Sequence, residues 1–140
     1  MTDAAIRLHP LTRPESFQAG LRAPGVQAGA LRLQYRGVLA CDRAPATPAC
    51  MVGFVLPKRW CRHAVRRNLL RRVWREALRE ALRDAATAAV LNDTALIVRL
   101  TAKLPAEFVS AASPALRRHL RDTAHQLIAQ LLRRRAPQPD

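Results

Sequence analysis

Lys58–Arg79 reads KRWCRHAVRRNLLRRVWREALR, and the division of this stretch into two faces decides the fold. Its basic residues are Lys58, Arg59, Arg62, Arg66, Arg67, Arg71, Arg72, Arg75 and Arg79, with Glu76 the only acid among them. A charge run this dense is ordinarily a solvated, disordered segment. Here it is laced with Val65, Leu69, Leu70, Val73, Trp74, Ala77 and Leu78 at helical spacing. An amphipathic helix is therefore expected from about His63 or Ala64 to Ala88 or Leu91, its apolar stripe continuing through Ala81 and Leu82. At about 100° per residue, Asn68, Arg71, Arg72, Arg75 and Arg79 fall on the opposite side, in an arc of roughly 100°, with Arg67 at its flank. A helix held by one face and carrying arginines on the other is suited to a polyanion.

The rest of the chain supplies what that helix packs on. Ala30–Tyr35 alternates, with Leu31, Leu33 and Tyr35 on one side and Arg32 and Gln34 on the other, as in a half-buried strand. Met51–Leu56 (MVGFVL) is a second, apolar strand stopped by Pro57, and Ala95–Leu100 (ALIVRL) is a third. A short helix is expected from Arg13 to Leu21 or Arg22, opened by a capping box from Thr12 to Glu15. Ser113-Pro114 signals the start of a last helix. Leu116, Leu120, Leu127, Ile128, Leu131 and Leu132 carry it to about Arg134. Strand, long helix, strand implies two parallel strands joined by a crossover. The fold class expected is α+β, with helices packed on one sheet. Residues 1 to 10 are expected to be a disordered N-terminus, 11 to 135 a single domain, and 136 to 140 a disordered tail.

Composition narrows the partner. The 140 residues carry a net charge of +14, and the basic residues are almost all arginine. Self-repulsion on that scale favours a neutralising polyanion, and the planar guanidinium suits phosphate and stacks on bases. Neither a membrane-spanning run nor a signal-peptide core is apparent, so a cytoplasmic protein is expected. Cys41, Cys50 and Cys61 form no CxxC pair and are expected to be reduced thiols. No carboxylate pair, HxxxH spacing, nucleophile elbow or P-loop is present, so no catalytic group and no metal site are expected in this chain.

The signature Arg67-Asn68-Leu69-Leu70-Arg71-Arg72-Val73-Trp74-Arg75-Glu76 resembles that of the bacterial ribonuclease P protein component. That family has a basic pair, a short spacer, then Ala-x-x-Arg-Asn-Arg-x-Lys-Arg-x-x-Arg-Glu. Lys58-Arg59 matches the pair, Trp60 to His63 the spacer, and Ala64 the helix start. Leu11, Phe17, Leu33, Tyr35 and the segment from Asp93 to Arg99 extend the similarity, which covers the chain from about Leu11 to Leu132. Leu69 departs from the pattern, standing where the family has its second Arg. Leu21 likewise replaces a second aromatic on the first helix. The resemblance implies an αβββαβα order with a βαβ crossover, in an α/β sandwich of a mostly antiparallel sheet similar to a ribosomal-protein domain. It implies a subunit that binds a catalytic RNA, one protein per RNA, and assists removal of the 5′ leader of precursor tRNA. The chemistry is then expected in the RNA, with Mg²⁺ held mainly there. The RNA-binding residues implied are Lys58, Arg59, Arg62, Arg66, Arg67, Asn68, Arg71, Arg72, Arg75 and Arg79, and the leader-binding cleft would use Phe17 and Tyr35. The rival readings are a general RNA-binding or ribosome-associated protein, a helix-turn-helix DNA reader, and a membrane-surface helix.

Overall fold

Apolar residues at spacings of three and four bury one side of the basic helix. Leu69, Leu70, Val73, Trp74, Ala77 and Leu78 are all buried along α2, Ala64–Ala81. In the computed structural model, which describes residues 6–105 and 113–135, this helix lies on a five-stranded sheet. The strands are β1 (Arg7–Pro10), β2 (Gly25–Ala28), β3 (Leu31–Gly37), β4 (Ala49–Val55) and β5 (Thr94–Leu100), in the spatial order β1-β4-β5-β3-β2. The remaining helices are α1 (Pro14–Leu21), α3 (Ala85–Leu91) and α4 (Pro114–Arg135). The chain is thus α+β in the order βαβββαβα, with the pair α2–α3 forming the crossover between the parallel strands β4 and β5.

The two faces of the sheet carry separate apolar clusters. Leu31, Leu33, Cys50, Val52, Leu96, Val98 and Leu100 meet the buried stripes of α2 and α4 in the main core. Leu11, Met51, Ala95 and Ile97 face the other way, where Phe17 of α1 packs on them. Gly53 makes that docking possible, since a Cβ there would sit 2.5 Å from Phe17 Cε1. Burial of these faces dominates the folding free energy.

The sheet is mixed, with two parallel and two antiparallel pairings, where a mostly antiparallel one is expected from the resemblance. The difference arises from β1. Residues 7 to 10 are not disordered; they pair in parallel with β4 from Arg7↔Ala49 to Pro10↔Val52. An edge position tolerates Pro10, which has no amide to donate. β2 is also absent from the expected elements. It pairs antiparallel with β3 through a two-residue turn, Gly29-Ala30, where Gly29 takes a positive φ of 56°. A glycine in a two-residue link before an alternating strand is the local sign of that hairpin.

The expected long helix is two helices. α2 ends at Ala81, and Asp84 opens α3 by accepting hydrogen bonds from the Thr87 amide (3.0 Å) and hydroxyl (2.9 Å). An acceptor at the N-cap satisfies an otherwise unpaired amide. α1 starts without the expected Thr12 cap; its N-cap is Arg13, in extended conformation and with no side-chain cap bond. The residue before a proline is pushed out of the helical region, which places the boundary there. Val65 is exposed on the first turn of α2 and does not join the stripe. The Ser113 cap of α4 is present, its hydroxyl accepting from the Leu116 amide at 3.1 Å. The expected tail at 136 to 140 lies outside the described residues.

Candidate nucleic-acid interface

Packing the apolar stripe against the sheet turns the opposite side of α2 to solvent. Asn68, Arg71, Arg72, Arg75, Glu76 and Arg79 line one shallow groove of about 390 Å³ along the helix. Asn68, Arg72 and Arg79 are exposed, and Arg71 and Arg75 are half-buried at the rim. Two of these side chains are held in place. Arg71 donates to Asn68 Oδ1 at 3.0 Å. The Arg75 guanidinium lies 5.5 Å from the centre of the Phe54 ring, an arrangement that stabilises a cation while leaving its outer N–H groups available. Among the described residues of this groove no ion pair to Glu76 is formed, and the salt bridge Arg36–Asp42 lies elsewhere.

The loop before α2 adds a second basic surface. Arg59, Trp60, Cys61, Arg62, His63 and Arg66 line a groove with Lys103 and Leu104. Trp60 is half-buried against the main core, and the Arg59 guanidinium stacks 5.2 Å from its ring centre. Lys58 is exposed beside them. Arg67 is turned inward and donates to the carbonyls of Cys61 (2.9 Å) and Arg62 (2.8 Å). It therefore fixes the loop against the helix. Lys103, in the connection after β5, has no local signal in the sequence; only the tertiary fold brings it here.

Phe17 and Tyr35 do not share a cleft. Tyr35 pairs with Leu96 across β3 and β5 and lies on the face of the main core, with Arg135 5.6 Å from its ring centre. Phe17 lies on the opposite face with Ile97 and Met51. On the Phe17 face the register places Arg32 directly across from Arg99, which in turn pairs with Val55. Like charges directly opposite each other in a sheet destabilise it unless a counter-charge is near. These two arginines are not among the site residues expected from the sequence, because cross-strand neighbours depend on register.

The family model for ribonuclease P matches residues 7–127, nearly the whole of the described fold. The chain belongs to the ribonuclease P protein family. Among curated protein sequences none matches it. A solved structure of the Staphylococcus aureus RNase P protein superposes with a TM-score of 0.59, covering 88% of this chain and 94% of that one at 13% identity. At that identity the likeness shows the fold.

Within the ribonuclease P protein family frame, Leu69 gains a physical account. It is 3% exposed, inside the main core between α2 and the sheet. Position 69 thus serves packing in this chain. Leu21, the other departure, is 44% exposed at the end of α1. Among the described residues no cluster of His, Cys, Asp and Glu is arranged to hold a metal ion. The three cysteines are free thiols, with Cys50 and Cys61 buried. No described helix is long and apolar enough to cross a membrane.

Proposed function

We propose that this chain is the protein subunit of ribonuclease P, acting in the cytoplasm with one protein per catalytic RNA, and that it assists cleavage of the 5′ leader from precursor tRNA. The observation that carries this reading is the groove of Asn68, Arg71, Arg72, Arg75 and Arg79 on a helix locked into the core. A guanidinium pairs bidentately with phosphate, and helix packing orders these side chains before RNA arrives, which lowers the cost of binding. Asn68 adds a group able to bond a base edge or a 2′-hydroxyl. The RNA-binding surface then runs from Lys58, Arg59, Arg62 and Arg66 over the first turn of α2 to Arg79. Arg67 acts in it by holding the loop.

Phosphodiester hydrolysis is assigned to the RNA with its Mg²⁺, as the family resemblance implies. The chain's own residues bind and orient. The 5′ leader is placed on the α1 side of the sheet, over Phe17 and toward Arg99. A half-buried aromatic with an arginine further along the same face is a sequence-tolerant track for a single strand, with roughly 1–3 kcal/mol available per stacked base. Tyr35, on the other face, does not take part in that track.

Reconstitution tests both parts. Full-length protein with the cognate RNA is expected to cleave precursor tRNA at low Mg²⁺, and protein alone is expected to be inactive. Cleavage by RNA-free protein would overturn the assignment of the chemistry to the RNA, and no stimulation of the RNA would overturn the subunit reading. In the same assay Phe17→Ala should bring the affinity for leader-bearing substrate closer to that for mature tRNA, by about 5- to 150-fold for one lost stacked base. Unchanged discrimination would return Phe17 to a purely structural role.

A further inference from the structure

A third basic surface lies at the far edge of the sheet from α2. β2 is an edge strand, and the C-terminal turns of α4 pack beside it. Between them runs an open groove of about 720 Å³ lined by residues that include Gln27, Arg32, Tyr35, Gln130, Arg133 and Arg134. No acidic side chain lines it. Its walls are fixed. Arg134 donates to the Gly25 carbonyl at 3.2 Å. Gln27 donates its amide hydrogens to the Gly29 carbonyl (2.9 Å) and Thr101 Oγ1 (3.0 Å). Arg135 donates to Thr94 Oγ1 at 2.7 Å and covers the Tyr35 ring.

A helix C-terminus favours cations, so one arginine at the end of α4 has a structural explanation. Three in succession, of which Arg133 and Arg134 line a groove together with Arg32, exceed what that dipole calls for. Guanidinium groups, two carboxamides and an aromatic wall are together the chemistry that binds an unpaired nucleic-acid strand: charge for the backbone, amides for base edges and 2′-hydroxyls, a ring for stacking. A duplex, with its bases stacked inside, would leave the carboxamides and the ring unused.

We infer that the groove between β2 and the end of α4 is a further binding site for single-stranded RNA, separate from the α2 surface and from the Phe17 face. Five strands spaced about 4.8 Å apart put roughly 19 Å between the two edges of the sheet. The chain then grips RNA from both edges of its sheet. The strand belongs either to the catalytic RNA or to the precursor.

The test compares Arg133→Ala/Arg134→Ala, Arg72→Ala/Arg75→Ala and the fourfold variant in the full chain. Binding of a single-stranded oligouridylate and of a duplex of equal length is titrated over a range of salt. Loss of the groove pair is expected to lower the slope of log K against log salt for the single strand by about 1.4, and to add to the effect of the α2 pair. An unchanged slope for the groove pair overturns the proposal, as does an equal loss for duplex and single strand. A silent α2 pair beside a weakened groove pair would instead overturn the α2 reading and leave the groove in place. Repeating the titration with catalytic RNA alone and with precursor tRNA alone identifies the source of the strand. A hydroxyl-radical probe tethered at Gln130→Cys in a Cys41→Ser chain should cut the bound RNA; no cutting there would also overturn the site.

Discussion

Replacing Arg71, Arg72, Arg75 and Arg79 together by alanine is expected to lower affinity for the catalytic RNA on the order of a thousandfold at physiological salt. Each charge-assisted hydrogen bond contributes about 1.5–3 kcal/mol, and the four effects overlap, so the total falls short of their sum. The salt dependence gives the sharper reading. The slope of log K against log salt should become shallower by about three units, at about 0.7–0.9 for each phosphate no longer neutralised. The variant should stay folded. Alanine is the best helix former, and removal of four like charges relieves repulsion along α2. The buried stripe from Leu69 to Leu78 is untouched. A variant that keeps the parental slope would show that this face is solvated in the complex.

Asp42→Ala is expected to cost about 3–5 kcal/mol of stability, because it strands a buried guanidinium. The Asp42 side chain is 0% exposed and that of Arg36 10%. They pair bidentately at 2.7 and 2.8 Å, and the Leu39 amide donates to the same carboxylate at 2.8 Å. Arg36 also donates to the Ser16 carbonyl at 2.8 Å, which ties α1 to β3. Burial opposes ionisation of Asp42, but the hydrogen bonds from Arg36 and the Leu39 amide outweigh it and hold the carboxyl at about 2, below its ordinary 3.8. The folded-state value is depressed, so this contribution is fully present above pH 3.8 and is lost as pH falls through about 2. Its size, from the shift alone, is of the order of 2 kcal/mol. Denaturant titrations from about pH 6 to about pH 2 should show that loss in the parent and a flatter profile in Asp42→Ala. Arg36→Met/Asp42→Leu should recover most of the stability at neutral pH. A single variant as stable as the parent would show that Arg36 finds water on its own. Because Arg36 anchors α1 through Ser16, the same variant should also displace Phe17 and weaken the preference for leader-bearing substrate.

The helices are legible in the sequence because their pattern is local. Leu70, Val73, Trp74, Ala77 and Leu78 repeat on one side of α2, and the arginine arc follows from the same 3.6-residue period, whatever the helix packs on. β4 and β5 are legible as apolar runs, and their parallel pairing follows from the length of the crossover between them. β1 and β2 are four residues each, too short to show a period. Both sit at sheet edges, where partners from elsewhere in the chain define them. The break after Ala81 is hidden because the apolar period runs on through Leu82; its only local sign is the Asp84 cap with Thr87 three residues later.

The sequence by itself determined the basic helix, its two faces, the crossover and, through the Arg-Asn signature, the family. All of these depend on residues within a few turns of one another. The same period turned Leu69 toward the core, as its burial bears out. Tertiary structure alone decided that Arg67 holds its own loop and that Lys103 joins the loop before α2. It also separated Phe17 from Tyr35, set Arg32 against Arg99, and gathered Arg133 and Arg134 beside β2. For Arg67, Lys103, Arg133 and Arg134 the reason is packing between distant segments, and for the strand residues it is register. A strand exposes alternate residues on opposite faces, and a shift of one residue exchanges them, so which side chains become neighbours is fixed only when the sheet closes.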